Sequence, residues 1–285
     1  MTILSRLKKN DVDAVIATVA RDEKKDISEI IGGLETGKII IPKNKARIIQ
    51  KPCGIGKGLR TKVNVNIGTS PDYSMLDDEI KKVQISERYG ADALMDLSTG
   101  NNVRHIRREI LKIARIPVGT VPIYQVAHNY ITAGKPLYKI SKNELFDVIE
   151  EQADDGVDFM TIHCGVTKAV IEKLKTHKRL MGIVSRGGAI LAQWIEKNTK
   201  ENPLYLYFDE LLKIAKKYDV TLSLGDGMRP GCLADATDTV QIEELKQLSV
   251  LARLAHENDV QVMIEGPGHI PLHEINTIIG LLFYN

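Results

Sequence analysis

Glu265-Gly266-Pro267-Gly268-His269 sets a carboxylate and an imidazole at the two ends of a glycine–proline–glycine turn. A glutamate so placed can hydrogen-bond a polar substrate or act as a base, and the histidine can bind a metal or simply be structural. Asp226-Gly227-Met228-Arg229-Pro230-Gly231 offers a second carboxylate with an arginine, in a turn fixed by glycine and proline. These two groups can meet a ligand or pair with each other. Ser185-Arg186-Gly187-Gly188 opens an apolar helical stretch, 189–196, so free N–H groups, a helix dipole, a hydroxyl and a guanidinium can converge on one phosphate. The alternative is an ordinary turn with a surface arginine.

Other residues are weaker signals one at a time. His163, beside Cys164, is either a substrate donor or a buried histidine, and Asn66, Met95 and Tyr124 are common strand-end residues. The segment from Cys53 to Arg60, with three glycines and two cations, can wrap an anion or be a flexible turn; it lacks the strand-before, helix-after context of a phosphate-binding loop.

The elements that position these groups are read from periodicity. Apolar runs at 62–68, 93–98, 118–124, 159–164, 182–185, 221–226 and 260–266 alternate with helical stretches at 77–89, 103–114, 142–155, 167–174, 208–218 and 242–258. Such alternation predicts an α/β fold with a parallel sheet covered by helices. The runs are apolar throughout, so both sheet faces are expected to be buried. Because many strand ends supply one polar site, a (β/α)8-type TIM barrel is preferred to a doubly wound sheet. Helices at 11–20 and 27–35, the second capped near Asp26 or Ser28, and a strand at 38–42 suggest an N-terminal cap over residues 1–60, with an incomplete barrel, expected to lack its eighth strand, over 61–285.

A length of 285 residues and 43% hydrophobic composition suit one barrel. A formal charge of +2 argues against a nucleic-acid or membrane partner and for a small-molecule ligand. No secretory segment opens the chain and no long apolar run spans a membrane. Cys53, Cys164 and Cys232 are far apart and form no CxxC pair, which points to the cytoplasm.

Taken in order, the stretches from Thr61 to Ser70, Ala93 to Gly100, Val184 to Gly188, Leu224 to Gly231 and Glu265 to His269 resemble the phosphomethylpyrimidine synthase family of thiamine biosynthesis, over about residues 2–272. The resemblance implies a radical carbon–carbon lyase. It converts 5-aminoimidazole ribotide into 4-amino-5-hydroxymethyl-2-methylpyrimidine phosphate with S-adenosylmethionine and a [4Fe-4S] cluster. It also implies that Asn66, Met95, Tyr124, His163, Ser185, Arg186, Gly187, Asp226, Gly227, Met228, Arg229 and Glu265 contact the ribotide, that His269 is the first of two zinc ligands, and that the protein forms homodimers.

The family pattern continues through a Pro-Phe-Tyr segment, an eighth strand, the second zinc histidine and a Cys-x2-Cys-x4-Cys motif, whereas this sequence stops at Asn285. Phe283-Tyr284 falls some eight residues early for the Phe-Tyr pair, and His256 and His273 are out of place for the second zinc ligand. An iron–sulfur cluster needs about three or four thiolates brought together, so this chain alone is expected to be inactive in the family reaction. A ribotide-binding or scaffold protein without catalysis, and a metal-assisted barrel lyase or hydrolase using Glu265 and His269, are the alternatives.

Overall fold

The computed structural model describes residues 1–266 and 268–284. Pro267 and Asn285 lie outside the described residues, as do the side chains of the Phe283-Tyr284 pair.

Two short strands, β1 (Ile39–Ile40) and β2 (Ile55–Gly56), pair antiparallel. Six more form one parallel sheet: β3 (Asn64–Ile67), β4 (Ala93–Asp96), β5 (Val118–Thr120), β6 (Phe159–Ile162), β7 (Thr221–Leu224) and β8 (Val262–Ile264). Their spatial order is their chain order, with no reversal of the kind that divides a doubly wound sheet. Helices Leu76–Arg88, Val103–Ile113, Pro122–Thr132, Lys142–Asp154, Phe208–Tyr218 and Thr239–Glu257 make the crossovers and bury their apolar sides against the sheet. The sheet is not closed, and β3 and β8 are its edges among the described residues.

Burial on both faces holds for β4 to β7, whose residues are all buried, and fails at the edges. β3 has two exposed residues and β8 is half-buried throughout, because each lacks a neighbouring strand on one side.

Two of the seven expected strands need correction. Residues 182–185 are not a strand: β6 bonds directly to β7, Phe159 opposite Thr221, which leaves no place between them. The N–H groups of Leu180 and Met181 are instead taken by the Asp235 carboxylate, at 2.7 and 2.8 Å, and Gly182 turns at φ +62°. The run at 118–124 ends as a strand at Thr120, since Pro122 starts the helix Pro122–Thr132. Tyr124 therefore projects from a first helical turn and not from a strand end.

The N-terminal segment contains helices Ile3–Leu7, Ala14–Glu23 and Ile27–Glu35. Asp26 and Glu29 form a capping box at the third. Ile3, Leu4, Leu7, Ile16, Val19, Ile30, Leu34, Ile39 and Ile41 make an apolar cluster separate from the core around the sheet. Among the described residues no helix is long and apolar enough to cross a membrane.

Candidate active site

One face of the parallel sheet is read off alternate residues. Asn64 and Asn66 on β3, Met95 and Leu97 at β4, Phe159, Thr161 and His163 at β6, Ser223 on β7, and Met263 and Glu265 at β8 all line one cavity of about 400 Å³. Val121 and Tyr124 after β5, with Asp226 and Arg229 after β7, complete its wall. Gly119 is the inward residue of β5, and the Phe159 ring occupies the space a side chain there would need. The cavity reaches the carboxyl ends of the strands, where loops carry the variable chemistry of parallel α/β proteins.

Seven of the twelve expected ligand-contact residues, Asn66, Met95, Tyr124, His163, Asp226, Arg229 and Glu265, thus meet in one place. The Ser185 to Gly188 motif stands behind His163. Ser185, 1% exposed, caps the helix Arg186–Asn198 by accepting the Gly188 N–H at 3.1 Å. A Cβ on Gly187 would lie 2.5 Å from His163 Nδ1, and one on Gly225 would lie 2.9 Å from His163 Cδ2, so the imidazole is wedged between two glycines. Arg186 extends over the Tyr124 ring, 5.1 Å from its centroid. Met228 is fully buried and Gly227 packs against Val166 and Gly188, so neither places a side chain in the cavity.

Burial sets the electrostatics. His163 is 3% exposed, and burial, reinforced by Arg229, pushes its pKa down to about 4, so the ring is neutral near pH 7. Its Nδ1 has no protein partner. Its main chain is fixed by the buried Asn202, which donates to the carbonyls of His163 and Val166 at 3.0 and 2.9 Å. Glu265 accepts from the Thr161 hydroxyl at 3.0 Å and from the Asp226 N–H at 3.3 Å. Arg229 donates to the Asp226 carboxylate at 3.1 Å. Burial raises both carboxyls, and the adjacent Asp226 charge raises Glu265 further, so this pair keeps a proton to higher pH than free carboxylates do.

His269 sits at the rim, exposed, with φ +62° and its Nδ1–H donated to the Pro230 carbonyl at 3.0 Å. That bond leaves Nε2 as the ring's free acceptor. Among the described residues no three His, Cys, Asp or Glu side chains gather as a metal site. Cys53 and Cys164 are buried, and burial pushes both thiols up, that of Cys53 to about 12, the reverse of a thiolate ligand's environment. The described donors by themselves therefore complete neither an iron–sulfur cluster site nor a zinc site.

The glycine-rich segment from Cys53 to Arg60 lies at the opposite end of the sheet. Gly56 pairs with Ile39, and Arg60 binds the carboxylate of Asp92, the residue just before β4. Thr161, Ser223 and Asn64 were missing from the sequence-derived site. Polar residues at every second position of otherwise apolar runs were their signal.

Fold and cavity together define a parallel α/β protein with a single polar face gathered beyond its strand ends. The chain matches the family model described as Radical SAM ThiC family over residues 2–282. It is 51% identical over 281 residues to the phosphomethylpyrimidine synthase of Thermodesulfovibrio yellowstonii, covering 99% of this chain and 66% of that protein. It is 52% identical over 275 residues to the phosphomethylpyrimidine synthase of Methanococcus vannielii, covering 96% and 64%. With the one from Moorella thermoacetica the figures are 50% over 281 residues, 99% and 65%. The chain belongs to the Radical SAM ThiC family, and it spans just under two thirds of the length of these relatives.

Proposed function

We propose that this chain supplies the ribotide-binding part of a phosphomethylpyrimidine synthase, the radical S-adenosylmethionine lyase that turns 5-aminoimidazole ribotide into 4-amino-5-hydroxymethyl-2-methylpyrimidine phosphate for thiamine. The observation that carries the reading is the convergence of Asn66, Met95, Tyr124, His163, Asp226, Arg229 and Glu265 on one cavity beside a capped helix N-terminus.

Each group has a role that its surroundings support. The first-turn N–H groups at Arg186 and Gly187, with the Arg186 guanidinium, hold the substrate phosphate, while Ser185 shapes that turn as its cap. Glu265 and Asp226 orient the aminoimidazole, the protonated member of the pair donating and the ionised one accepting. His163, neutral and with Nδ1 free of protein partners, hydrogen-bonds the bound ligand or an intervening water. Asn66, Met95, Tyr124 and Arg229 complete the contacts, with Gly227 and Met228 fixing the turn.

When bound in the family enzyme, S-adenosylmethionine and the [4Fe-4S] cluster supply the radical that starts the rearrangement. The described cysteines are not gathered into one site, and the role read for this chain is to bind and orient the ribotide. In this reading the sheet is an arc of a (β/α)8-type barrel, 61–285, with 1–60 as its cap, and barrel closure takes place at the edges of β3 and β8. The protein works in the cytoplasm as a homodimer, and His269 serves as a zinc ligand once a second histidine joins it.

Thermal melting with increasing 5-aminoimidazole ribotide tests the reading. A ligand at 100 times its dissociation constant adds about 2.7 kcal/mol to the stability of the state that binds it. The melting temperature is expected to rise with ribotide and to stay constant with the unphosphorylated riboside. No rise at millimolar ribotide would contradict it.

A further inference from the structure

Behind the cavity, the main chain of one residue is gripped at both its N–H and its C=O by buried charged-type side chains that line no part of the cavity. Glu244, on the helix Thr239–Glu257, is 2% exposed and accepts the Met228 N–H at 2.8 Å. Arg179 has no exposed side-chain surface and donates to the Met228 carbonyl at 2.8 Å. Its fork is fixed in turn by Asp238, at 2.6 and 2.7 Å, and Asp238 also caps the helix that carries Glu244. Met228 stands between Asp226 and Arg229, the two side chains of this turn that enter the cavity.

We infer that Glu244 and Arg179 are positioning residues, a two-sided clamp on the main chain of Met228 that aims Asp226 and Arg229 into the ligand cavity. Three observations carry it. Both main-chain polar groups of one buried residue, Met228, are satisfied by side chains from elsewhere in the sequence, at residues 179 and 244, instead of by the turn itself. The packing leaves the clamp no slack: a Cβ on Gly227 would lie 3.0 Å from Glu244 Oε1, and one on Gly165 would lie 2.8 Å from Glu244 Cγ. Glu244 Oε1 in turn lies against the Gly227 backbone, so the carboxyl meets two consecutive residues of the turn. Burial pushes Glu244 up to about 8, so at neutral pH it is largely a protonated carboxylic acid, for which glutamine is a close isostere.

The effect on affinity rests on the ribotide reading above, but the clamp can be tested apart from it. Hydrogen–deuterium exchange of the peptide spanning 226–231 in the free chain is compared for wild type, Glu244→Ala and Glu244→Gln. Exchange is expected to quicken in the alanine variant and return to the wild-type rate in the glutamine variant. Unchanged exchange in Glu244→Ala, or a glutamine variant as loose as the alanine one, overturns the clamp. If Glu244→Ala does not fold, Glu244→Asp, which withdraws the carboxyl by one methylene, takes its place with the same expectation.

Calorimetric titration with ribotide is then run in a double-mutant cycle with Asp226→Ala. Glu244→Ala is expected to weaken binding about tenfold, the scale of one unsatisfied buried donor. It should weaken binding far less once Asp226 is already alanine, because both changes act through one turn. Equal losses in the two backgrounds overturn the positioning role. A wild-type chain that binds no ribotide contradicts the proposed function, while the exchange rates still decide the clamp.

Discussion

Gly188 and Gly227 touch without side chains between them: a Cβ on Gly188 would lie 2.9 Å from Gly227 Cα and closer still to its carbonyl oxygen. The first turn of the helix Arg186–Asn198 is thereby packed directly on the Asp226–Arg229 turn, and the candidate phosphate site and the carboxylate site share one rigid seam. Gly188→Ala is expected to destabilise the chain by about 1–3 kcal/mol, the usual cost of overpacking against backbone that cannot retreat. Denaturant titration checks this, and an unaltered midpoint would mean that the seam can open at little cost.

Gly187→Ala acts on a single side chain. Its Cβ would lie 2.5 Å from His163 Nδ1, so the imidazole has to rotate or the helix has to shift. The expected outcome is weaker ribotide binding by about 1 kcal/mol or more, the value of one displaced hydrogen bond. Ribotide affinity equal to wild type would show that His163 is packing only.

Much of this architecture was legible in the sequence. The helix Phe208–Tyr218 lies where the 3.6-residue period placed it, and β4, β6 and β7 fall inside the expected apolar runs. Residues 182–185 misled because a short apolar run before a glycine turn looks the same whether or not it joins a ladder; the deciding interactions, Asp235 with Leu180 and Met181, are made by residues more than fifty positions away. Tyr124 was misplaced by reading past Pro122, whose fixed φ starts a helix as readily as it ends a strand. Glu244 could not have been found at all, since a glutamate beside another, Glu243, in an amphipathic helix reads as a solvated surface residue until its burial is seen.

Glu244 also predicts a pH dependence of stability. Its folded-state value is about 8 against an ordinary 4.5, so the native chain holds a proton that the unfolded chain releases. That contribution is fully present below about pH 4.5 and is lost as pH rises toward 8. Asp226 and Arg179 are the charges facing this carboxyl, and they oppose each other in effect. Glu244→Gln is expected to flatten the decline, so the gap between mutant and wild-type melting temperatures widens from pH 5 to pH 8. Parallel melting curves over that range would contradict the assignment.

Arg186→Ala is expected to weaken ribotide binding by at least about 1.5 kcal/mol, the low end for a hydrogen bond to a charged group. Because Arg186 is exposed and its guanidinium lies over the Tyr124 ring, the fold is expected to be unaffected. Full affinity in this variant would remove the guanidinium from the phosphate site.

The most direct test of the central claim is calorimetric titration of the purified chain with 5-aminoimidazole ribotide, beside the dephosphorylated riboside. The account predicts saturable binding of the ribotide that is lost with the phosphate. Absence of ribotide binding by a chain shown to be folded would contradict it.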